Sequence, residues 1–327
     1  MKILAPLTNI DHFEKLLDAG AEEFYCGMVP YEWIEKYGFG LNRRAFRSNT
    51  AFNSFTAMKI LKEKASTYRI PVKITLNSLL YSQAQYDMIY NLVEKFMELG
   101  FDTYIIADIG LFVFLKEHGI NCKVHISGEM PAINTMTIDL LMQYGITRII
   151  FPRRMSIADM ESCIQKYGSK LEYESFILNE SCVYTGAFCN SIHCDELRNA
   201  CYLPYDFSLL KDNENDFHLF YRYLQMVKSR NSKSENIRVE KHDIGDSGCG
   251  LCFIKKLCEI GITTLKVAGR GKEVNNLIED ITSIKKALSF IDQDSQNDYM
   301  QKILDEFFEG QCKNSYAFCY YPQRDKA

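Results

Sequence analysis

The residues best suited to chemistry in this sequence are cysteines, and they cluster in two places. Four fall within twenty residues and three more follow about fifty residues later: Cys182, Cys189, Cys194, Cys201, Cys249, Cys252 and Cys258. Thiolates are soft ligands that favour zinc and iron–sulfur clusters. The chain has a single C-x2-C pair, whereas a zinc ribbon needs two. We therefore predict that loops from both places converge on an iron–sulfur cluster, with zinc as the alternative metal and buried, unliganded cysteines as the alternative without one.

Composition indicates a globular, intracellular protein. The 327 residues are 47% hydrophobic and 24% charged, which suits an enzyme with a large core. The net charge of −4 gives no general basic surface, so contact with nucleic acid would need a local patch. The N-terminal apolar run is too short for a signal peptide, and the longest apolar stretch, Tyr104 to Leu115, is too short to cross a bilayer. We expect a cytoplasmic protein without membrane insertion, whose twelve cysteines are reduced.

The elements that must position these cysteines alternate between short β-branched runs and amphipathic helical patterns. This alternation predicts a (β/α)8 TIM-type barrel of the α/β class, with an open doubly wound sheet as the alternative. The predicted helices include 11–19, 51–67, 83–99, 109–118, 134–144 and 157–166. The eight predicted strands are Lys2–Ala5, Glu23–Cys26, Val72–Leu76, Thr103–Ala107, Lys123–Ser127, Arg148–Phe151, Leu171–Ile177 and Thr264–Ala268.

Two regions interrupt the alternation of strand and helix patterns. Residues 202–248 contain polar tracts and predict an insertion or cap between strands 7 and 8, and residues 292–327 predict a C-terminal extension. The predicted organisation is therefore 1–201 for strands 1–7 with the first cysteines, 202–248 for the insertion, 249–291 for the last helix, strand and helix, and 292–327 for the tail.

Polar residues follow several predicted strands, where barrel active sites lie. Among them we predict three catalytic residues, His125, Glu129 and Asp108, with His125 as a general acid or base unless it is a hydrogen-bonded core histidine. The remaining strand-end residues offer amides to orient a substrate and guanidiniums to bind a carboxylate or phosphate. We predict these as substrate-binding residues: Asn42, Arg44, Asn77, Arg153 and Arg270.

Short segments in the same order as these strand ends resemble the collagenase-like peptidase family U32, from Ala5 to Arg270. The most specific is Phe39-Gly-Leu-Asn-x-Arg-Ala-Phe46. The others are Ala5-Pro6, Val72-Lys-Ile-Thr-Leu-Asn77, Ala107-Asp-x-Gly110, His125-Ile-Ser127, Pro152-Arg153 and Lys266-Val-Ala-Gly-Arg270.

The resemblance implies a barrel and, as in several members of the family, a [4Fe–4S] cluster that serves oxygen-independent hydroxylation of a ubiquinone precursor or of a nucleoside in RNA. Matched position by position, it implies Cys182, Cys189 and Cys201 as cluster ligands. The fourth ligand is either Cys249 or Cys252.

The chain departs from the family pattern beside two predicted sites. Gly128-Glu129 stands where the family has Thr-Gln, and Glu180-Ser181 stands where it has Gly-Ala, so we expect an altered choice of substrate. The tail also repeats the spacing of the first cluster, because Cys312 and Cys319 enclose six residues and end in Ala-Phe-Cys. A second metal site, or a tail that folds over the first one, would explain the repeat as well as chance does.

Three functions fit these residues. The first is an iron–sulfur enzyme that hydroxylates or otherwise oxidises a small aromatic ring or an RNA nucleobase. The second is a metal-dependent peptidase, which the historical family name suggests although the sequence has no HExxH or GxSxG motif. The third is a non-catalytic iron–sulfur subunit of a heteromeric complex, since the resemblance implies a related partner subunit.

Overall fold

The protein forms a closed barrel of eight parallel strands in a computed structural model that describes residues 1–38, 40–43, 50–130, 132–182, 242–312 and 318–322. The strands follow one another around the barrel in chain order, and β8 closes it against β1. Helices lie between successive strands, so the predicted (β/α)8 barrel is confirmed.

The strands are short and almost wholly buried. They are β1 Lys2–Pro6, β2 Glu23–Cys26, β3 Val72–Leu76, β4 Thr103–Ile106, β5 Lys123–Ile126, β6 Ile146–Ile150, β7 Glu172–Leu178 and β8 Thr264–Val267. Parallel strands covered by helices are apolar on both faces, which is why their runs stand out in the sequence. Every predicted strand is present, and its ends lie within two residues of the predicted ones.

Ten α-helices are described outside the masked ranges. They are α1 Phe13–Ala19, α2 Tyr31–Tyr37, α3 Phe55–Tyr68, α4 Gln83–Glu98, α5 Ile109–Glu117, α6 Thr135–Met142, α7 Ile157–Tyr167, α8 Ile254–Glu259, α9 Val274–Leu288 and α10 Gln296–Phe307. Side chains of Ser54, Asn134, Ser156 and Ser295 accept hydrogen bonds at the first turns of their helices. Helix α10 lies in the stretch predicted as a tail.

The lower half of the barrel interior is charged rather than apolar. Arg148 of β6 donates to Glu23 of β2 through both terminal nitrogens, at 2.8 and 3.2 Å, and to Glu174 of β7 at 3.0 Å. Its Nε donates to Glu172 at 2.8 Å. Lys73 lies 2.5 Å from Glu23. Each buried charge in this group thus meets the opposite charge, as burial away from water requires.

Three distant segments meet at the C-terminal end of β7. Gly248 accepts from the Asn179 N–H at 2.8 Å, and Leu178 and Cys249 form an antiparallel bridge. On its other side Cys249 forms a parallel bridge with Cys319. We call these segments, 177–181, 247–250 and 318–321, the β7 junction. A Cβ on Gly248 would lie 2.7 Å from the Ser181 nitrogen, so the close approach depends on glycine there.

The predicted insertion, 202–248, lies outside the described residues except for its last seven. Within the described ranges, no helix combines the length and the apolar character that crossing a membrane requires.

Candidate active site at the barrel mouth

A small polar cavity of about 40 Å³ opens among the C-terminal ends of the strands, enough for a few water molecules. Its lining is charged and aromatic: Tyr25, Arg43, Thr75, Asn77, Ile105, Ser127, Gly128, Glu129, Ile150, Arg153, Phe176, Glu180, Lys266 and Arg270. The site thus contains four of the predicted residues, namely Asn77, Glu129, Arg153 and Arg270.

Glu129 and Arg153 form the centre of the cavity. Arg153 Nη1 donates to Glu129 Oε1 at 2.8 Å, and the Arg43 Nε lies 3.5 Å from Glu129 Oε2. The guanidinium of Arg153 stacks on the Phe176 ring, 3.9 Å from its centroid. Burial alone would lower the pKa of Arg153, but the carboxylate of Glu129 raises it, so the group stays charged. Glu129 is therefore engaged in an ion pair, which it would have to give up in order to act as a base.

Arg270 also lines the cavity, and neutral groups accept hydrogen bonds from its guanidinium. Its Nη1 donates to Asn42 Oδ1 at 2.7 Å and to Thr75 Oγ1 at 3.1 Å. Its Nη2 donates to the backbone carbonyl of Arg43. Asn42, predicted to bind substrate, thus orients this guanidinium and is itself 2% exposed.

Two atoms of the lining have spare hydrogen-bonding capacity. Among the residues described, Asn77 Oδ1 and Arg153 Nε are buried without a hydrogen-bond partner. Buried polar atoms are rarely left unpaired, and those that are often mark a place for water or a ligand.

His125 lies below the cavity, inside the barrel. It is 4% exposed, and its neighbours across the sheet are Ile105 and Arg148. Burial lowers its pKa well below the usual value, and the charges of Arg148 and Lys73 lower it further. The imidazole is therefore neutral at physiological pH. It does not line the cavity, so its predicted acid–base role stays a prediction that this position does not favour.

Asp108 caps α5. Its Oδ1 accepts from the backbone of Gly110 at 2.8 Å and Leu111 at 3.3 Å, and its Oδ2 accepts from the Tyr81 N–H at 2.8 Å. These donors hold the β4–α5 and β3–α4 connections together. The carboxylate lies outside the cavity lining, so its geometry gives it a structural use, and the predicted catalytic role stays untested.

Several positions of the site were not anticipated from the sequence, among them Arg43, Phe176 and Lys266. Phe176 and Lys266 lie on β7 and β8 with their side chains toward the barrel axis, where Lys266 donates to Glu174 at 2.8 Å and its ammonium lies 4.1 Å from the centroid of the Tyr25 ring. The available signal was a charged residue in the middle of an otherwise apolar strand, a pattern that recurs in β3, β6 and β7 as well.

The cysteines lie at the edge of this mouth. Cys182 follows β7 after two consecutive non-glycine residues with positive φ, Asn179 at 66° and Glu180 at 54°. Such backbone costs energy and is held here by contacts of Asn179 to the Gly248 carbonyl and to Asp280, the latter at 2.6 Å. The β7 junction thus brings the second cysteine stretch to the strand that carries the first.

The thiols of Cys249 and Cys252 are protonated when no cation binds them. Burial raises the pKa of the Cys249 thiol well above its usual value and that of Cys252 to about 12, and nearby thiols add to both shifts. None of the nine cysteines within the described ranges forms a disulfide bond. Within these ranges no three His, Cys, Asp or Glu side chains converge as a metal site would require.

Three predicted site residues, Arg44, Cys189 and Cys201, lie outside the described residues, as does Cys194. Of the predicted ligands, Cys182, Cys249 and Cys252 are described. The ligand set implied by the resemblance is therefore present in part around the β7 junction and stays a prediction.

The sequence pattern that describes Peptidase family U32 matches residues 8–326, nearly the whole chain. The chain belongs to peptidase family U32. A relative from Bacillus subtilis, tRNA hydroxylation protein P1, is 22% identical over 92% of this chain and 66% of its own length. The tRNA hydroxylation protein P of Escherichia coli is 32% identical over 28% of this chain and 20% of that protein.

A solved structure titled as the U32 peptidase Mk0906 resembles this fold with a TM-score of 0.42 and 11% identity, over 54% of this chain and 68% of that one. A likeness of this size carries no argument about function. The chain spans about two thirds of the Bacillus relative and less of the Escherichia coli one.

Proposed function

We propose that this U32 chain is an iron–sulfur-dependent enzyme that takes part in hydroxylation of an RNA nucleobase, with tRNA as its substrate. The observation that carries the proposal is the similarity to tRNA hydroxylation protein P1, which extends over 92% of the chain. The charged mouth supports it, because arginines beside a barrel cavity suit a substrate that carries phosphate or carboxylate groups.

The proposed cofactor is a [4Fe–4S] cluster held by Cys182, Cys189, Cys201 and either Cys249 or Cys252. The donor set fits it, since four thiolates are the usual ligands of such clusters. The observation that supports the fit is the bridge between Leu178 and Cys249, which brings residues 71 positions apart to one strand end. When bound, the cluster would supply electron transfer at the edge of the mouth.

The residues of the chain have separate tasks in this proposal. Arg270, fixed by Asn42 and Thr75, orients an anionic group of the substrate or of a cosubstrate. The stacked guanidinium of Arg153 provides a second cationic surface in the lining of the same cavity. The apolar rings of Tyr25 and Phe176 line the same space and limit the access of water.

The experiment is an anaerobic purification followed by iron and sulfide quantitation, an EPR spectrum, and mass spectrometry of tRNA nucleosides from cells that lack the gene. We expect about four irons per chain and loss of one hydroxylated nucleoside that returns with the wild-type gene but not with Cys182→Ala. One equivalent of zinc and an unchanged set of nucleosides would contradict the proposal. Peptide hydrolysis that a chelator abolishes would instead favour the peptidase.

A further inference from the structure

Glu129 holds a position in the mouth that resembles that of a bound anion. Its two carboxylate oxygens face different guanidiniums, with Oε1 2.8 Å from Arg153 and Oε2 3.5 Å from Arg43. The side chains are buried, at 9% exposure for Glu129 and 7% for each arginine. An oxyanion between two guanidiniums is the arrangement in which proteins bind carboxylate and phosphate ligands.

Arg153 is fixed independently of Glu129. Its guanidinium stacks on Phe176, which comes from another strand, and Gly128 leaves the room for that ring. A Cβ at position 128 would lie 2.8 Å from Phe176 Cε2 and 3.2 Å from the Phe151 carbonyl oxygen. The cation therefore keeps its place if the carboxylate leaves, whereas Glu129 lies outside the strands, in the loop that follows the end of β5 at Ile126.

The pairing at the mouth is also incomplete, in contrast to that in the barrel interior. There, Arg148 uses all three of its nitrogens on the carboxylates of Glu23, Glu172 and Glu174. At the mouth, the Nε of Arg153 is buried and has no hydrogen-bond partner within the described ranges, and the same holds for Oδ1 of Asn77 in the same lining. The site therefore has more capacity for hydrogen bonds than Glu129 uses.

We propose that Glu129 is a built-in competitor at an oxyanion subsite formed by Arg153 and Arg43, and that the carboxylate or phosphate group of a ligand binds there by displacing it. Glu129 would thereby determine which ligands are accepted, because only an anion that pairs better than its carboxylate gains access. The proposal deepens the function proposed above and rests on it for the role of the mouth as the substrate site. Its test measures the binding of an anion and no catalytic turnover, so the proposal about Glu129 and the proposed function can fail separately.

The decisive variant is Glu129→Gln, which keeps the size of the side chain and removes its charge. Loss of the competitor leaves two buried guanidiniums without a carboxylate between them, and the attraction for an external anion increases. We expect inorganic phosphate or acetate to bind at least about tenfold tighter to this variant than to the wild type.

The measurement is isothermal titration calorimetry of anaerobically purified protein with inorganic phosphate in one arm and acetate in the other. Glu180→Gln is the matched control, because it removes the same charge from the same lining at a longer distance of 3.9 Å from Arg153. A gain for Glu129→Gln alone supports the proposal, and the arm that shows the larger gain identifies the ligand as a phosphate or a carboxylate. An equal gain in both variants, or no gain in either, overturns it.

Further variants keep the test decisive if Glu129→Gln does not fold. Glu129→Asp keeps the charge but withdraws it by one methylene, so we expect a smaller gain of the same sign. Arg153→Lys, combined with either change, should abolish the gain, because an ammonium lacks the planar pair of donors. Anion binding that is insensitive to Arg153→Lys would show that the ligand binds elsewhere, and the proposal would be wrong.

Discussion

Arg148 holds the charged interior of the barrel together through one planar group. It donates to Glu23, Glu172 and Glu174, and Lys73 adds a second cation beside Glu23. In such a group, each charge is tolerable only while its partners remain, because burial removes the water that would otherwise solvate it. The stability of the network therefore depends on its most connected member.

Replacing Arg148 with Met should accordingly lower the free energy of unfolding by about 3–5 kcal/mol, since Glu23 and Glu174 would be left buried beside too little positive charge. Urea denaturation followed by circular dichroism measures the change. Lys123→Met is the matched control. It breaks a pair with Asp102 whose side chains are 62% and 60% exposed, so we expect a loss of at most about 1 kcal/mol. Similar losses in the two variants would contradict the central role of Arg148.

His125 gives the folded chain a dependence on pH. The pKa of His125 is lowered in the folded state. Once the pH falls below about 6.5, this imidazole therefore binds a proton in the unfolded chain but stays neutral in the folded chain. Its contribution to stability is thus complete above that pH and is lost on acidification. In His125→Gln, the slope of unfolding free energy against pH between 6.5 and 5 should decrease by up to about 1.4 kcal/mol per pH unit.

The measurement for His125 is a series of urea titrations across this pH range. His118→Gln, which removes an exposed ring, controls for the loss of a histidine as such. An unchanged slope in His125→Gln would mean that the imidazole is protonated inside the barrel, and the neutral state assigned to it would be wrong.

At the scale of elements, the β7 junction determines whether the two cysteine stretches meet. Gly248→Ala should separate segments 247–250 and 177–181, because the added methyl would lie 2.7 Å from the Ser181 nitrogen. We expect less iron per chain after anaerobic reconstitution and a loss of stability of about 2–4 kcal/mol, from the steric overlap and the unfavourable φ together.

The control for this variant is Gly119→Ala. Gly119 also has a positive φ, of 81°, but nothing lies within 4 Å of an added Cβ, so only the cost in backbone conformation, about 1–2 kcal/mol, should appear. Iron content should then remain at the wild-type level. Equal iron content in the two variants would show that iron binding does not depend on the β7 junction.

Serine variants distinguish Cys249 from Cys252 as the fourth ligand of the proposed cluster. The variant in which Ser replaces the true ligand should lose most of the iron that the protein binds. The other variant should keep it. Hydrogen bonds to Phe318 and Tyr320 fix the backbone of Cys249 on one side and the bridge to Leu178 fixes it on the other, whereas Cys252 lies in the 3-10 turn that precedes α8. Iron quantitation of Cys249→Ser and Cys252→Ser decides between them, and Cys312→Ser with Cys319→Ser tests the tail in the same way.

At the scale of the whole molecule, the sequence predicts the barrel well because apolar strand runs and helix patterns are local signals. It also predicts which strand ends carry the mouth residues Asn77, Glu129, Arg153 and Arg270. Which of them pair is set by contacts between strands that are distant in sequence. The pairing of Glu129 with Arg43 and Arg153, and the position of His125 among buried cations, therefore had to come from the structure.

The chain spans about two thirds of its Bacillus subtilis relative, so the activity of the whole relative is a proposal for this chain. A related partner subunit likewise stays a prediction from the resemblance. Tagged protein isolated without added salt should retain such a subunit if one is needed for hydroxylation, and size-exclusion chromatography with mass spectrometry would identify it.

The β7 junction has a consequence for the order in which the protein assembles. Each of its three segments is roughly 70 residues from the next along the chain, so each contact closes a long loop and gains little until the barrel has formed. Its amides, those of Cys249 and Tyr320 among them, should therefore become protected late and together in hydrogen exchange. Metal would then bind after the barrel has closed. The form that receives the metal would be a folded, metal-free chain.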